Sequence, residues 1–552
     1  MDAVSRARDW IAQDPDPVTR DELQEIVDGA VAGDEAAAAE LEARFAGRLQ
    51  FGTAGLRGAL GAGPLRMNRV LVGQAAAGFA RFLRDRAPEG RTPVVVVGYD
   101  GRRNSDVFAR DSAELFQGAG LEAILLPRLL PTPVLAFAVR FLGADAGVMV
   151  TASHNPPDDN GYKVYLGGDD QGAQIVAPAD AEIAKRIREV ADATPLGDLP
   201  RSGEYRIADE SVLDAYVEAT AAVAPAPSGA EGMRWTFTAM HGVGWETMRR
   251  VLERAGYPLP SLVTEQIEPD GAFPTVSFPN PEEPGAMDLS FRTAEESDAE
   301  FVIANDPDAD RVAVAVPSHG GWRRLTGNEI GLLLGRRAAR AAEGAPGASL
   351  ACSLVSSPGL GAVAERYGLD WHETLTGFKW ISRAPGMVFG FEEALGYLVN
   401  PETVRDKDGI SAAVAVLGLA AEARERGATL VDLLDEMAEE IGHYASTQVS
   451  VRVDDVSRIA TVMARLRADP PTAFAGHQVA RCDDLLRASE GAPGGDVLRF
   501  RLSDGSRIIF RPSGTEPKLK VYLDVRGSSA EDAASVLAQL EGAVRQLLDE
   551  TS

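Results

Sequence analysis

Val94-Val95-Val96-Val97-Gly98-Tyr99-Asp100-Gly101 decides the fold. The β-branched run favours a strand, the glycines mark a turn, and residues 106–118 beyond them have helix-forming composition. Strand, Gly-containing turn and helix are the opening of an α/β unit. The theme returns at 235–239, Gly242-Val243-Gly244 and 245–255, and again at 350–355, Ser357-Pro358-Gly359 and 360–367. A spacing of roughly 120–140 residues suits three tandem α/β domains, similar in pattern rather than in residue identity.

The C-terminal part reads differently. Residues 497–502 and 508–510 alternate around Ser503-Asp504-Gly505-Ser506, an Asp-Gly hairpin signal. A further strand at 520–525 and an amphipathic Ala/Leu-rich helix at 529–548 complete a smaller α+β domain with an antiparallel sheet. Residues 1–48 read as helices leading into the first domain. Linkers are expected at 194–202, 317–321 and 442–447. The domains then span 1–200, 203–318, 319–443 and 446–552.

The chain has 552 residues, too many for one hydrophobic core, with an ordinary 45% hydrophobic and 25% charged composition. A net charge of −27 argues against nucleic-acid and acidic-membrane partners but leaves room for an anionic substrate at a local cationic site. No apolar run is long enough for a transmembrane helix, and the first residues lack a signal-peptide core. The only two cysteines, Cys352 and Cys482, are far apart, so neither a disulfide framework nor a Cys-based zinc site is expected. A cytoplasmic location is expected.

Four stretches carry chemistry. Thr151-Ala152-Ser153-His154-Asn155-Pro156 follows an apolar run at 146–150 and so sits at a strand's carboxyl end, where open α/β folds bind ligands. Ser153 is a candidate nucleophile with His154 beside it; a plain turn is the alternative. Asp306-Pro307-Asp308-Ala309-Asp310-Arg311 follows the apolar run 301–304. In an extended segment its three carboxylates share a side and repel unless a hard cation neutralises them; a solvated acidic loop is the alternative. An EF-hand fails, since Arg311 stands where its glycine belongs and Pro317 where its last glutamate belongs. Arg511-Pro512-Ser513-Gly514-Thr515-Glu516-Pro517-Lys518-Leu519-Lys520 offers the hydroxyls, backbone N–H groups and cations that a phosphate dianion needs, or forms a polar turn between strands. Gly390-Phe391-Glu392-Glu393-Ala394-Leu395-Gly396 places adjacent carboxylates where sugar hydroxyls can donate, or is a surface loop.

With Phe51-Gly52-Thr53-Ala54-Gly55-Leu56-Arg57-Gly58 and Gly377-Phe378-Lys379-Trp380, these motifs in this order resemble the α-D-phosphohexomutase superfamily, which includes phosphoglucomutases and phosphomannomutases, over nearly the whole chain. The resemblance implies an α/β fold of three tandem similar domains with mixed sheets plus the C-terminal α+β domain, around a central cleft to which each domain contributes a loop. It implies a phosphoserine at Ser153 and Mg²⁺ held by Asp306, Asp308, Asp310 and a phosphoserine oxygen. Arg57 and Arg311 would steady the transferring group. Gly377, Glu392 and Glu393 would serve the sugar, and Arg511, Ser513, Gly514, Thr515 and Lys520 the non-reacting phosphate. The general acid and base would come from His154, Lys163, Lys379 and Lys407, a lysine among cations serving as base through a lowered pKa.

The implied reaction interconverts hexose 1-phosphate and hexose 6-phosphate, glucose first and mannose next, through glucose 1,6-bisphosphate as intermediate and activator. The implied partner is a small phosphosugar, and the implied state a monomer or homodimer. Leu395 replaces a serine that many members carry in the sugar loop. With the longer chain, it makes the sequence similar to the branch of long phosphoglucomutases, phosphopentomutases and glucose-1,6-bisphosphate synthases. A metal-dependent phosphatase using Ser153 and a non-catalytic phosphosugar-binding protein are the remaining alternatives.

Overall fold

A computed structural model describes residues 2–53, 55–453, 456–486, 494–513 and 518–551. The chain divides into two compact units, Met1–Leu325 with Leu395–Gly427, and Thr326–Ala394 with Ala428–Ser552.

In the first unit, Val94–Tyr99 pairs in parallel with Glu122–Leu125 and with Ala146–Val150. Asp159–Leu166 then runs antiparallel to Ala146–Val150, and Leu56–Ala59 antiparallel to Asp159–Leu166, giving a mixed sheet. Such buried runs need cover on both faces. The helices Ser105–Gly118 and Thr132–Phe141 pack on the sheet's strands, and Arg69–Arg86 packs on Ser105–Gly118 and Ala179–Ala193. Three N-terminal helices, Ala3–Gln13, Pro17–Val31 and Glu35–Phe45, are capped by Asp2, Asp16 and Asp34. Their Trp10, Leu23, Val27, Leu41 and Phe45 join the same core.

A second sheet runs in the order Gly321–Arg324, Val312–Ser318, Phe301–Asn305, Trp235–Thr238 and Ser261–Leu262. It corrects one expectation. Residues 317–321 are not a linker but the tip of an antiparallel hairpin, with Pro317 opposite Trp322 and Ser318 opposite Gly321. The helix Gly409–Glu425, GISAAVAVLGLAAEARE, is apolar on nearly every side and buried along most of its length, as such a helix must be. It packs on Ser211–Ala221, Gly244–Ala255 and the strands Phe301–Asn305 and Val312–Ser318. Part of the expected third domain thus belongs to the first unit.

In the second unit, Asp370–Thr374, Ser349–Ser353 and Met387–Glu392 pair in parallel. A six-stranded antiparallel sheet follows, and the helix Ala530–Thr551 packs on its strands His443–Arg452 and Lys518–Gly527. The Asp-Gly hairpin is present: Leu498–Leu502 and Arg507–Pro512 pair across a turn in which Gly505 has φ +90°. Residues 442–447 are not a linker either. Gly442 ends the helix Leu430–Ile441 at φ +100°, and the strand His443–Arg452 begins at once.

A buried ion network ties this unit together. Arg507 Nε donates to Asp524 at 2.7 Å, its Nη1 to Glu373 at 2.7 Å, and its Nη2 to the Ser356 carbonyl. Arg507→Ala would leave the buried Asp524 without its cation, while Glu373 keeps Arg499 at 2.6 Å, and is expected to destabilise the unit by about 3–5 kcal/mol. Urea unfolding checks this; a loss below about 1 kcal/mol would remove the network's importance.

Candidate active site

The carboxylate loop is built by the second repeat. The strand Phe301–Asn305 ends at Asp306, and the next residues turn back rather than run extended. Ala309 takes φ +55°, Ala309 N donates to the Asp306 carbonyl at 2.9 Å, and Arg311 N donates to Asp306 Oδ1 at 3.0 Å. The Gly242 turn supports this loop from below. A Cβ on Gly242 would lie 2.3 Å from Pro307 Cα, and Val243 N donates to the Pro307 carbonyl at 2.9 Å. Asp306, Asp308 and Asp310 therefore converge through a tight turn instead of strand alternation. All three are fully buried, each offering an oxygen within 4.8 Å of the others.

Such a group needs cations. Lys163, on Asp159–Leu166, donates to Asp308 Oδ2 at 2.7 Å and to Asp310 Oδ2 at 2.8 Å. Lys407 Nζ lies 3.4 Å from Asp310 Oδ2, and Arg311 Nε 3.7 Å from Asp310 Oδ1. Thr132 Oγ1 donates to Asp308 Oδ2 at 2.5 Å. Asp308 Oδ1 and Asp310 Oδ1 accept no hydrogen bond although buried. Burial and the neighbouring Asp308 and Asp310 hold the Asp306 carboxyl well above its ordinary pKa. For Asp310, burial acts in the same direction but is outweighed by Lys163, Lys407 and Arg311, which push it far down. An all-oxygen set with two buried oxygens that accept no hydrogen bond and one carboxyl resisting ionisation fits a hard divalent cation.

The serine loop meets this group. Ser153 follows Ala146–Val150, takes φ +54°, and donates its N–H to Thr151 Oγ1 at 2.8 Å. Its Oγ donates to Asp306 Oδ2 at 2.9 Å and lies 3.2 Å from His154 Nδ1. Burial, then Arg311 and Arg57, drive the His154 pKa well below 6.5, so its imidazole is neutral near pH 7. Arg57, on Leu56–Ala59, donates to Asn155 Oδ1 at 2.8 Å. Lys163 departs from the expectation of a lowered pKa. Burial works against its charge, but Asp308 and Asp310 outweigh burial and raise it.

Lys407 is positioned by its neighbours. Asp406 Oδ2 accepts from Tyr165 OH at 3.0 Å and Gln174 Nε2 at 2.8 Å, while Asp408 accepts from Tyr216 OH at 2.9 Å and caps the helix Gly409–Glu425. Neither tyrosine stood out in the sequence, since buried tyrosines at strand and helix spacing read as core.

The second unit holds the remaining candidates. Glu393 Oε2 accepts from Ser353 and Ser356 hydroxyls, both at 3.1 Å, and Glu392 ends the strand Met387–Glu392. Gly377, at φ +105°, begins the short helix Phe378–Ile381 that carries Lys379. Arg511 stands directly opposite Lys520 in antiparallel strands. Like charges so placed repel unless an anion joins them. Ser513 N donates to the Lys518 carbonyl at 2.8 Å; Gly514 and Thr515 lie outside the described residues. Tyr522, absent from the sequence reading, has its pKa raised by burial and then by Glu393, against Arg511. It therefore feels both the sugar-loop carboxylates and the phosphate-loop cation.

A serine hydroxyl on a buried carboxylate triad, ringed by lysines and arginines, defines a phosphotransferase, and four successive domain matches make it a mutase. The phosphoglucomutase/phosphomannomutase α/β/α domains I, II and III match residues 48–194, 214–320 and 326–441, and the C-terminal domain matches 449–542. The chain belongs to the phosphoglucomutase/phosphomannomutase family. It is 53% identical to a Haemophilus influenzae protein named "Probable phosphomannomutase", covering 87% of this chain and 98% of the relative. A Staphylococcus epidermidis phosphoglucomutase is 33% identical, over 86% of this chain and 90% of its own. A Mus musculus phosphopentomutase is 32% identical, over 97% and 93%. The fold matches a Burkholderia thailandensis phosphoglucomutase/phosphomannomutase family protein with a TM-score of 0.71 at 21% identity, covering 92% and 98% of the two chains. Among the described residues no helix is long and apolar enough to cross a membrane.

Proposed function

We propose that this mutase interconverts hexose 1-phosphate and hexose 6-phosphate, glucose first and mannose next, with Ser153 carrying the phosphoryl group in transit. Support comes above all from Ser153 Oγ, which lies 2.9 Å from Asp306 Oδ2 in a buried, cation-ringed pocket of three carboxylates. Asp306, Asp308, Asp310 and an oxygen on Ser153 would hold Mg²⁺. When bound, the ion offsets charge on the transferring phosphoryl group.

In the first half-reaction the P–Oγ bond of phosphoserine breaks as the free hydroxyl of the monophosphate bonds to phosphorus. That hydroxyl loses its proton, and Ser153 Oγ gains one. In the second half the 1,6-bisphosphate gives its other phosphate to Ser153, and the protons move the opposite way. His154 is neutral and in contact with Oγ, so it is the first choice to exchange the Ser153 proton. Lys163 and Lys407, paired with carboxylates, serve with Arg57 and Arg311 as phosphoryl-binding cations, and the two lysines are the next choices for proton transfer. We assign Gly377, Glu392 and Glu393 to the sugar, Arg511, Ser513, Gly514, Thr515 and Lys520 to the phosphate that stays, and keep Lys379 as a further acid–base candidate. Leu395 is fully buried and offers the sugar no hydroxyl.

A pentose reading is kept because the phosphopentomutase relatives span 97% of this chain. The test supplies glucose 1-phosphate, mannose 1-phosphate and ribose 1-phosphate, each with Mg²⁺ and a trace of glucose 1,6-bisphosphate. Conversion of a hexose 1-phosphate at least about tenfold faster than ribose 1-phosphate is expected. Faster ribose conversion would move the enzyme to pentoses, and inorganic phosphate without an isomer would make it a phosphatase.

A further inference from the structure

Arg102 lies outside every motif of the site, in the turn after Val94–Tyr99, yet it grips the backbone of the serine loop. Its guanidinium donates to four backbone carbonyls: Nη2 to Ser153 at 2.7 Å and Asn155 at 2.5 Å, Nη1 to Pro156 at 2.8 Å and Asp159 at 3.0 Å. Arg102 is buried, and its Nε lies 3.6 Å from Asp100, which in turn accepts from Arg102 N and Ser105 Oγ.

The guanidinium also rests over the Phe273 ring, 5.0 Å from its centroid. Phe273 is buried at φ +47°, a conformation a bulky residue takes only when its surroundings impose it. Its loop is pressed against the Asp100 turn: a Cβ on Gly101 would meet Pro269 at 3.0 Å, and one on Gly271 would meet Arg103 N at 2.8 Å. The left-handed backbone at Ser153 needs the same enforcement, and Arg102 grips the carbonyl of that very residue. Lysine has neither the plane nor the donors to reach four carbonyls.

We infer that Arg102, seated on Phe273, is the positioning residue that fixes Ser153 Oγ for phosphoryl transfer, setting the rate of the chemical step rather than the affinity for the sugar phosphate. The inference rests on Ser153 being the phosphoryl carrier. Positioning errors of about an ångström are known to cost on the order of 100-fold in rate.

The experiment compares wild type, Arg102→Lys, Arg102→Ala and Phe273→Leu, the last a milder change that removes none of the four hydrogen-bonding partners. Full-length enzymes are incubated with glucose 1,6-bisphosphate and Mg²⁺, phosphoserine formation is followed by intact mass, and kcat and KM are measured per folded molecule. For Arg102→Lys, phosphorylation of Ser153 and kcat are expected to fall about 10- to 100-fold, with KM within about twofold. For Phe273→Leu, kcat is expected to fall a few-fold with KM unchanged. Added methylguanidinium is expected to restore part of the kcat of Arg102→Ala. Wild-type kcat per folded molecule in Arg102→Lys, or a loss carried by KM, overturns the inference. If Arg102→Lys does not fold, an unchanged kcat in Phe273→Leu overturns it. A wild-type enzyme that turns over without labelling Ser153 instead removes the phosphoserine on which it rests.

Discussion

Ser153→Ala is expected to lower interconversion by at least about 10⁴-fold while leaving the melting temperature nearly unchanged. The rate loss follows because no other hydroxyl among the described residues contacts Asp306 from the serine loop, and nucleophile deletions elsewhere cost on this order or more. Stability should hold because serine and alanine both have a Cβ, so the left-handed backbone at φ +54° strains them alike. The variant loses one hydrogen bond to Asp306, a carboxyl already inclined to stay protonated. A coupled assay with a glucose 1,6-bisphosphate primer measures the rate, and calorimetry the stability. Residual activity above about one per cent would mean that another group carries the phosphoryl.

Asp306→Asn is expected to separate stability from function. In the metal-free protein, three fully buried carboxylates offer oxygens within 4.8 Å of one another, and burial and repulsion already push Asp306 towards its neutral form. Asparagine keeps the shape, still accepts from Arg311 N, and removes the charge, so the metal-free variant should be more stable by on the order of 1 kcal/mol. Wild type should gain about 2.7 kcal/mol from Mg²⁺ at a hundred times its Kd. The variant should gain almost nothing at that concentration and lose about 10³-fold or more in rate. Thermal melts with EDTA and with a Mg²⁺ titration, beside the mutase assay, measure each part. Equal Mg²⁺ stabilisation of both proteins would take Asp306 out of the metal site.

Much of this was legible because it is local. Glycine after a β-branched run places a strand end, and a strand end places the Ser153 and Asp306 loops. The misreadings share one cause. Glycine and proline punctuate hairpins and helix ends as readily as linkers, so 317–321 and 442–447 look like connections until their pairing partners are known. Convergence of the three aspartates was anticipated through the wrong geometry, since a left-handed Ala309 cannot be read from Asp-Ala-Asp. Arg102 and the tyrosines behind Lys407 stayed hidden because their roles depend on partners from about 50 to 240 residues away. The resemblance supplied motif residues, but not the side chains that hold the motifs in place.

Leu395–Gly427 joins the first unit only after the chain has left it for Thr326–Ala394. On the ribosome, residues up to Leu325 emerge with the surface meant for the helix Gly409–Glu425 bare. Synthesis at ~5–20 residues per second keeps it bare for roughly 5–20 s. Lys407 arrives with that same helix, so the first unit acquires the last cation around its three carboxylates in the step that covers this apolar surface.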